Sequence, residues 1–275
     1  MISVLILTRN EELDLPACLD SVSWSGDVHV LDSQSTDRTR DIAAARGITV
    51  TVRPFDTYAA QRNAGLALPF RNPWVLVLDA DERIPSALSS EMQQAVAAAS
   101  PAVAAFRLQR RDFLWGTWLK HTQMTPFYVR LLRVGRARYV REVNEVIEVD
   151  GDVQNLTQPF DHFPFSKGIH HWIAKHNTYS TMEAQLLVAG TDAARASLRQ
   201  ALFARNFHDR RVAQKAIFYR MPARPLVKWL YLMFVRGALL DGRAGITCAT
   251  LIAFYEYLIE AKARELRRKQ AGLPI

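Results

Sequence analysis

The 275-residue sequence predicts an α/β fold: a sheet with helices on both faces, followed by a C-terminal helical appendage. Two observations lead there. Short apolar runs alternate with segments of helical spacing through the first third of the chain, and from about residue 166 onward the pattern becomes long, helical and basic.

Ile2–Leu7 is an unbroken apolar run, the signature of a parallel strand buried on both faces. Leu15, Leu19 and Val22 then recur at helical spacing, with Pro16 tolerable in a first turn. Val28–Leu31 is a second strand. Ser35 and Thr36 can cap a helix that ends at Gly47. Ile48–Val52 is a β-branched strand, Tyr58–Leu68 a helix, Trp74–Leu78 another buried strand, and Pro85-Ser86 opens an alanine-rich helix to about Ala99. From Val103 to Val153 the alternation predicts antiparallel strands, with a turn at Asp150-Gly151. A long helix is expected from Ser166 to about Ala189, and the remainder reads as helix broken at Pro222, Pro225 and Asp241-Gly242. The expected division is a catalytic domain at 1–165 and a helical, basic region at 166–275.

Composition bounds the function. With 49% apolar and 23% charged residues the chain is neither disordered nor fibrous, and two cysteines, Cys18 and Cys248, can build no disulfide framework or cysteine-rich zinc site. MISVLILTRN lacks the basic start and cleavage site of a secretory signal. The net charge of +8 is uneven: residues 195–275 hold 16 Lys and Arg against five Asp and Glu. That tail is also rich in Leu, Phe, Tyr and Trp, which favours an anionic membrane surface over nucleic acid. No apolar stretch reaches the 18 residues expected of a spanning helix, because Lys228, Arg236 and Glu256 interrupt.

In a parallel sheet, ligands bind beyond the carboxyl ends of the strands. Strand one ends in Thr8-Arg9-Asn10-Glu11, strand two in Asp32-Ser33-Gln34-Ser35-Thr36-Asp37, and the Trp74 strand in Asp79-Ala80-Asp81-Glu82. One acidic strand end is ordinarily a helix cap; three at one edge repel unless a cation sits among them. Asp79 and Asp81, one residue apart after an apolar strand, suit Mg²⁺ or Mn²⁺ and a diphosphate. No G-x-G-x-x-G, G-x-x-x-x-G-K-[ST] or G-x-S-x-G sequence occurs, which disfavours dinucleotide, P-loop and serine-hydrolase chemistry. His170, His171 and His176 invite a zinc reading, but no acidic or cysteine partner lies nearby in sequence.

SVLILTRNEE, VLDSQSTDRT, AAQRNAGL and VLVLDADERI, in this order, resemble the inverting glycosyltransferases of family two. RLLRVGRARYVREVNEVIEV, DHFPF and KHNTYSTMEA narrow the resemblance to the bacterial lipopolysaccharide-core glucosyltransferase group and its capsule and exopolysaccharide relatives. The resemblance implies a GT-A, Rossmann-like nucleotide-sugar-binding sheet. It places Thr8, Asn10 and Glu11 in a nucleotide-contacting loop, Asp32 near base and ribose, and Arg62 and Asn63 facing the nucleotide. It makes Asp81 a metal ligand, with Asp79 nearer the ribose and donor sugar, and His162 the candidate to complete the metal shell. Ser33 stands where the family often has a second acidic residue. An inverting reaction needs one general base for the acceptor hydroxyl. The family's His-Glu pair reads Asn144-Glu145 here, so Glu145 is the expected base, with Glu142 and Glu148 as neighbours.

The expectation is therefore a metal-dependent hexosyltransferase that takes a nucleotide-diphosphate sugar, most simply a UDP-sugar, to a lipid-linked or lipopolysaccharide acceptor. It would be cytoplasmic and peripheral on the inner face of the cytoplasmic membrane. Three rivals fit less well. A nucleic-acid-binding module leaves the carboxylate edge unexplained, a nucleotidyltransferase would open with a glycine-rich loop, and a processive synthase would carry spanning helices and a Q-x-x-R-W sequence.

Overall fold

The structure, a computed structural model, describes residues 1–123, 127–140, 146–189, 218–219, 221 and 223–275. Its chain divides into two compact units, Met1–Phe113 with Met124–Ser166, and Leu114–Gln123 with Lys167–Ile275.

The first unit begins with β1 (Ile2–Thr8), α1 (Leu15–Ser21), β2 (Val28–Asp32), α2 (Thr39–Ala45), β3 (Thr49–Val52), α3 (Tyr58–Leu66), β4 (Trp74–Asp79), β5 (Glu82–Arg83) and α4 (Ser86–Ala98). It continues through β6 (Val103–Leu114), β8 (Phe127–Arg133), β9 (Ala137–Val140), β10 (Val146–Val149) and β11 (Asp152–His162); β7 (Thr117–Trp118) lies in the second unit. Among the described residues the main sheet runs β3-β2-β1-β4-β8-β6-β11-β5, and β9 and β10 form a separate antiparallel ribbon. β1 pairs in parallel with β2 and β4. β8 pairs antiparallel with β4 and β6.

The expected antiparallel run from Val103 needs one correction: β11 lies parallel to β6. Alternation reports which face a side chain takes and says nothing of strand direction. A parallel neighbour needs a long crossover, and here β8 and the β9–β10 ribbon lie between the two strands in the chain.

The unbroken apolar run of β1 has a simple cause. Val4 and Ile6 point into a core with Leu15 and Leu19 of α1, Ala43 of α2 and Leu88 and Met92 of α4. Leu5 points the other way, into a second core with Leu31, Val75 and Val77, closed by Ala64 and Leu66 of α3. Each such fully buried aliphatic side chain contributes about 1.5–3 kcal/mol. Helix α3 lies close to the sheet: a Cβ on Gly65 would fall 2.6 Å from a Leu5 methyl.

The second unit comprises α5 (Gly168–Ala189), α6 (Arg224–Leu230), a π turn (Tyr231–Val235), a 3-10 turn (Ala238–Asp241), α7 (Gly242–Gln270) and the excursion 114–123. α7 packs against both α5 and α6. His176 of α5 stacks on Trp172 with ring centroids 3.5 Å apart, and its Nδ1 is 2.8 Å from the Trp172 carbonyl oxygen. Both cysteines are buried thiols. The expectation that no segment could span a membrane is corrected: Ala238–Gln270 is one helical stretch long and apolar enough to do so by length and composition. Asp241-Gly242 marks the expected break, with the 3-10 turn ending at Asp241 and α7 beginning at Gly242 (φ 62°), and Glu256 is absorbed by an ion pair with Arg224 at 3.2 Å.

Candidate active site

Strand register levels the three acidic strand ends. Thr8 lies opposite Asp32, and Leu7 opposite Asp79, so the polar residues after β1, β2 and β4 emerge at one edge of the sheet.

The first two strand ends are bonded to one another. Asp32 is fully buried and accepts from the Thr8 hydroxyl at 2.9 Å and from both the backbone N–H (2.8 Å) and the hydroxyl of Ser35. Asn10 sits at φ 56°, in the left-handed region that Asn tolerates better than most residues. Its side chain accepts from the Thr36 N–H at 2.8 Å, and its own N–H donates to Ser35 Oγ. The Glu11 N–H donates to Thr39 Oγ1 at 2.7 Å. These bonds explain why α2 starts at Thr39 and not after the expected Ser35-Thr36 cap: both residues serve the loop. Asp32 and Thr8 thus act as the loop's internal frame, while Arg9 and Asn10 are exposed at its rim.

Asp79 is held by two arginines. Arg62 Nη2 donates to its two oxygens at 3.0 and 3.2 Å, and Arg130 Nη2 donates to Oδ2 at 3.0 Å. Desolvation works against the ionised form, but the two guanidinium groups outweigh it and keep the Asp79 carboxyl well below the usual range. Glu82 completes the group, accepting from Arg130 at 2.5 Å and from the Asp79 N–H at 2.9 Å. Burial pushes Glu82 up to about 7 against the pull of Arg130, and the neighbouring Asp79 adds to the rise. The Asn63 side chain donates to the Tyr139 carbonyl (2.8 Å) and accepts from the Tyr139 N–H (2.7 Å), pinning β9 to α3.

Asp81 faces His162. The imidazole Nε2 lies 3.3 Å from Asp81 Oδ2, and Nδ1 lies 2.5 Å from Asp112 Oδ1. Pairing sets this up: His162 is opposite Asp112 across β11 and β6, and opposite Glu82 across β11 and β5. Burial disfavours the imidazolium, yet hydrogen bonds to Asp112 and Asp81 prevail and raise its pKa to about 9. The residues fit a divalent cation. A histidine whose Nδ1–H is oriented by a carboxylate can bind a metal through Nε2, and here the cation would displace the Nε2 proton that otherwise faces Asp81. No group of three or more potential ligands occurs among the described residues. Mg²⁺ and Mn²⁺ do not require one, because substrate phosphates and water supply the other oxygens.

Glu145 lies outside the described residues, in the connection between β9 and β10. Glu148 is on β10 and pairs with Arg138 at 2.7 Å on the exposed ribbon. Arg130 and Asp112 carry no local sequence signal, and the sequence places Glu82 only within the acidic strand end. Arg130 stands in FYVRLLR, an alternating strand where nothing local marks a buried arginine; Glu82, adjoining the Asp79–Asp81 pair, was the one partner within reach.

The sequence matches glycosyl transferase family 2 over residues 3–156, from β1 into β11. The lipopolysaccharide core biosynthesis glycosyltransferase LpsC of Rhizobium meliloti (strain 1021) is 29% identical over 271 residues, covering 95% of this chain and 91% of that protein. An uncharacterized glycosyltransferase of Rickettsia bellii (strain RML369-C) is 26% identical over 282 residues, covering 96% and 86%. Among solved structures, glucosyl-3-phosphoglycerate synthase from Mycobacterium tuberculosis, in complex with Mn²⁺, UDP and glucosyl-3-phosphoglycerate, is 24% identical. That similarity has a TM-score of 0.35 and covers 40% of this chain and 44% of that one. A parallel β1, β2 and β4 with their polar ends at one edge, within a family match of more than half the chain, identifies the protein as a member of glycosyl transferase family 2, with the GT-A fold.

Proposed function

We propose that this glycosyltransferase moves a sugar, with inversion, from a nucleotide-diphosphate donor to a lipid-linked or lipopolysaccharide-core acceptor, and that a UDP-sugar is the donor. The observation that carries the reading is the gathering of Asp79, Asp81 and His162 at the end of the parallel strands. The similarity to LpsC supports the choice of acceptor class.

Asp81 and His162 would hold a divalent cation, with Asp112 fixing the imidazole so that Nε2 faces the ion. Such a cation supplies charge neutralisation to a departing diphosphate. The chain's own residues do the rest. Arg62 and Arg130 keep Asp79 ionised and immobile, so that it can accept hydrogen bonds from donor hydroxyls at a fixed place. The loop framed by Asp32 and Thr8 presents Arg9, Asn10 and Glu11 to the nucleotide. Glu145 takes the proton from the acceptor hydroxyl as it attacks the anomeric carbon from the face opposite the diphosphate. Asn63, by tying β9 to α3, would steady the ribbon whose connection contains Glu145. The basic second unit would keep the enzyme peripheral on the inner face of the cytoplasmic membrane, where such acceptors are assembled.

A panel of nucleotide sugars tests this reading without an acceptor, because slow donor hydrolysis can be followed alone. One UDP-sugar should be hydrolysed only with Mg²⁺ or Mn²⁺ present. Equal hydrolysis under full chelation, or none with any nucleotide sugar, would overturn it.

A further inference from the structure

The helical hairpin of the second unit is apolar on its outside as well as its inside. Leu232, Met233, Ala238 and Ala249 are buried together. Their neighbours on the π and 3-10 turns point outward: Phe234 is 65% exposed, Val235 72%, Leu239 47% and Leu240 75%. Gly237, at φ 79°, makes the reversal between the two turns. Four large apolar side chains within seven residues of one tip exceed the scattered exposure normal for a soluble surface.

Charge completes the picture. From Arg224 to Tyr255 the chain holds one acidic residue, Asp241, and it is buried. Its carboxylate accepts from the N–H groups of His121 and Thr122 at 2.9 and 2.7 Å and from the Thr122 hydroxyl at 2.8 Å. The tip and its flanks, residues 224–255, therefore present no carboxylate at their surface; the next ones on α7, Glu260 and Glu265, lie toward its far end. Arg243 and Lys120 are exposed, and Lys228 is partly so. Arg236 donates to the His121 and Gln123 carbonyl oxygens, which fixes the excursion 114–123 beside the tip.

We propose that the tip Phe234–Leu240 is a wedge that inserts into one leaflet of an anionic lipid bilayer, with Arg243, Lys228 and Lys120 at the level of the phosphates. This rests on the membrane-peripheral reading above and names the residues responsible. A second copy of this chain fits the same face poorly. A two-fold interface would bring Lys228 and Arg243 toward a matching surface with no carboxylate to meet them. Anionic lipid satisfies both features at once: acyl chains take the apolar tip, and headgroups take the cations.

Vesicle co-flotation of the full-length protein tests the wedge, with phosphatidylcholine vesicles made with and without phosphatidylglycerol. The variant is Phe234→Asp/Leu240→Asp, at two side chains whose exposure lets the fold tolerate the change; circular dichroism and UDP-sugar hydrolysis confirm that it is folded. Wild type should bind anionic vesicles and lose binding as salt rises, and the double variant should bind at least about tenfold more weakly. If the variant floats as wild type does, the wedge is wrong while the peripheral reading stands. If wild type ignores anionic vesicles at low salt, both fail. If the substitutions instead dissolve a wild-type dimer and leave vesicle binding unchanged, the occupant is a second copy and the proposal is overturned.

Discussion

The strand-end edge of the first unit and the hairpin of the second distribute polarity in opposite ways. In the first, Val4, Leu5 and Ile6 are wholly inside, and charge collects at one rim, where Arg62, Arg130, Asp79 and Glu82 neutralise one another and Asp81 faces His162. In the second, charge lies inside: Arg224 pairs with Glu256, Asp241 holds backbone amides, and Phe234, Val235 and Leu240 face out. Buried charge is costly unless paired and hydrogen-bonded, and both units meet that condition. A rim of fixed charge suits a small, charged, water-borne donor. An apolar tip without carboxylates suits a surface that is itself apolar beneath a layer of anions.

The comparison can be broken most severely at the acceptor side of the rim. Glu145→Gln should lower turnover by about 10²–10⁴-fold, the scale of a lost general base, with donor affinity little changed. Full-cycle kinetics with a UDP-sugar and a lipid-linked acceptor read this out. Near-normal turnover in Glu145→Gln alongside a collapse in Glu142→Gln would move the base to Glu142. Next in size is Asp112→Asn. Losing the carboxylate that orients His162 should weaken Mn²⁺ affinity by about 10–100-fold while the fold persists, as measured by metal titration. Unchanged affinity would mean that the His162–Asp112 pair serves only to join β11 to β6.

Much of the first unit was legible because its signals are local. A run such as Ile2–Leu7 reports burial on both faces, and β1, β2 and β4 each extend only one residue past the expected span, into Thr8, Asp32 and Asp79. The part of the site around Asp79 and Asp81 was half legible: Asp79, Asp81 and His162 carry sequence signals, whereas Arg130 and Asp112 are brought in by strand pairing between distant segments. The second unit was less legible for the same reason. Nothing in residues 114–123 announces that Asp241, about 120 positions later, will collect their amides. Nor does composition separate an apolar side chain bound for a core from one left facing out.

Two glycines sharpen the contrast in packing. In the second unit a Cβ on Gly245 would fall 2.1 Å from the Ala238 carbonyl oxygen and 2.6 Å from the Asp241 Cβ, so the backbone itself must move. In the first, the obstacle at Gly65 is the end of the Leu5 side chain, which can rotate. Gly245→Ala should therefore destabilise by about 1–3 kcal/mol or somewhat more, and Gly65→Ala by less, as read by thermal unfolding. Equal losses would show that the Ala238–Asp241 turn yields as readily as a side chain.

The smallest effect is a pH dependence. Burial would raise the Asp241 pKa, but hydrogen bonds from Thr122 and His121 lower it below its ordinary value. A carboxyl depressed in the folded state contributes stability that is complete above its unfolded pKa, near 3.9, and fades as pH falls through the folded value. Acid titration below about pH 4 should then loosen the second unit in wild type, and Asp241→Asn should flatten that part of the profile. An identical acid slope in both proteins would remove Asp241 from the balance.

The most direct test of the charged rim as a donor site is calorimetric titration of UDP into wild type and Asp81→Ala, each with Mn²⁺ and with chelator. Wild type should bind UDP strongly only when Mn²⁺ is present, and Asp81→Ala, folded by circular dichroism, should show no gain on adding the metal. UDP binding of equal strength in all four titrations would contradict the assignment of Asp81 and His162 to a metal-held diphosphate.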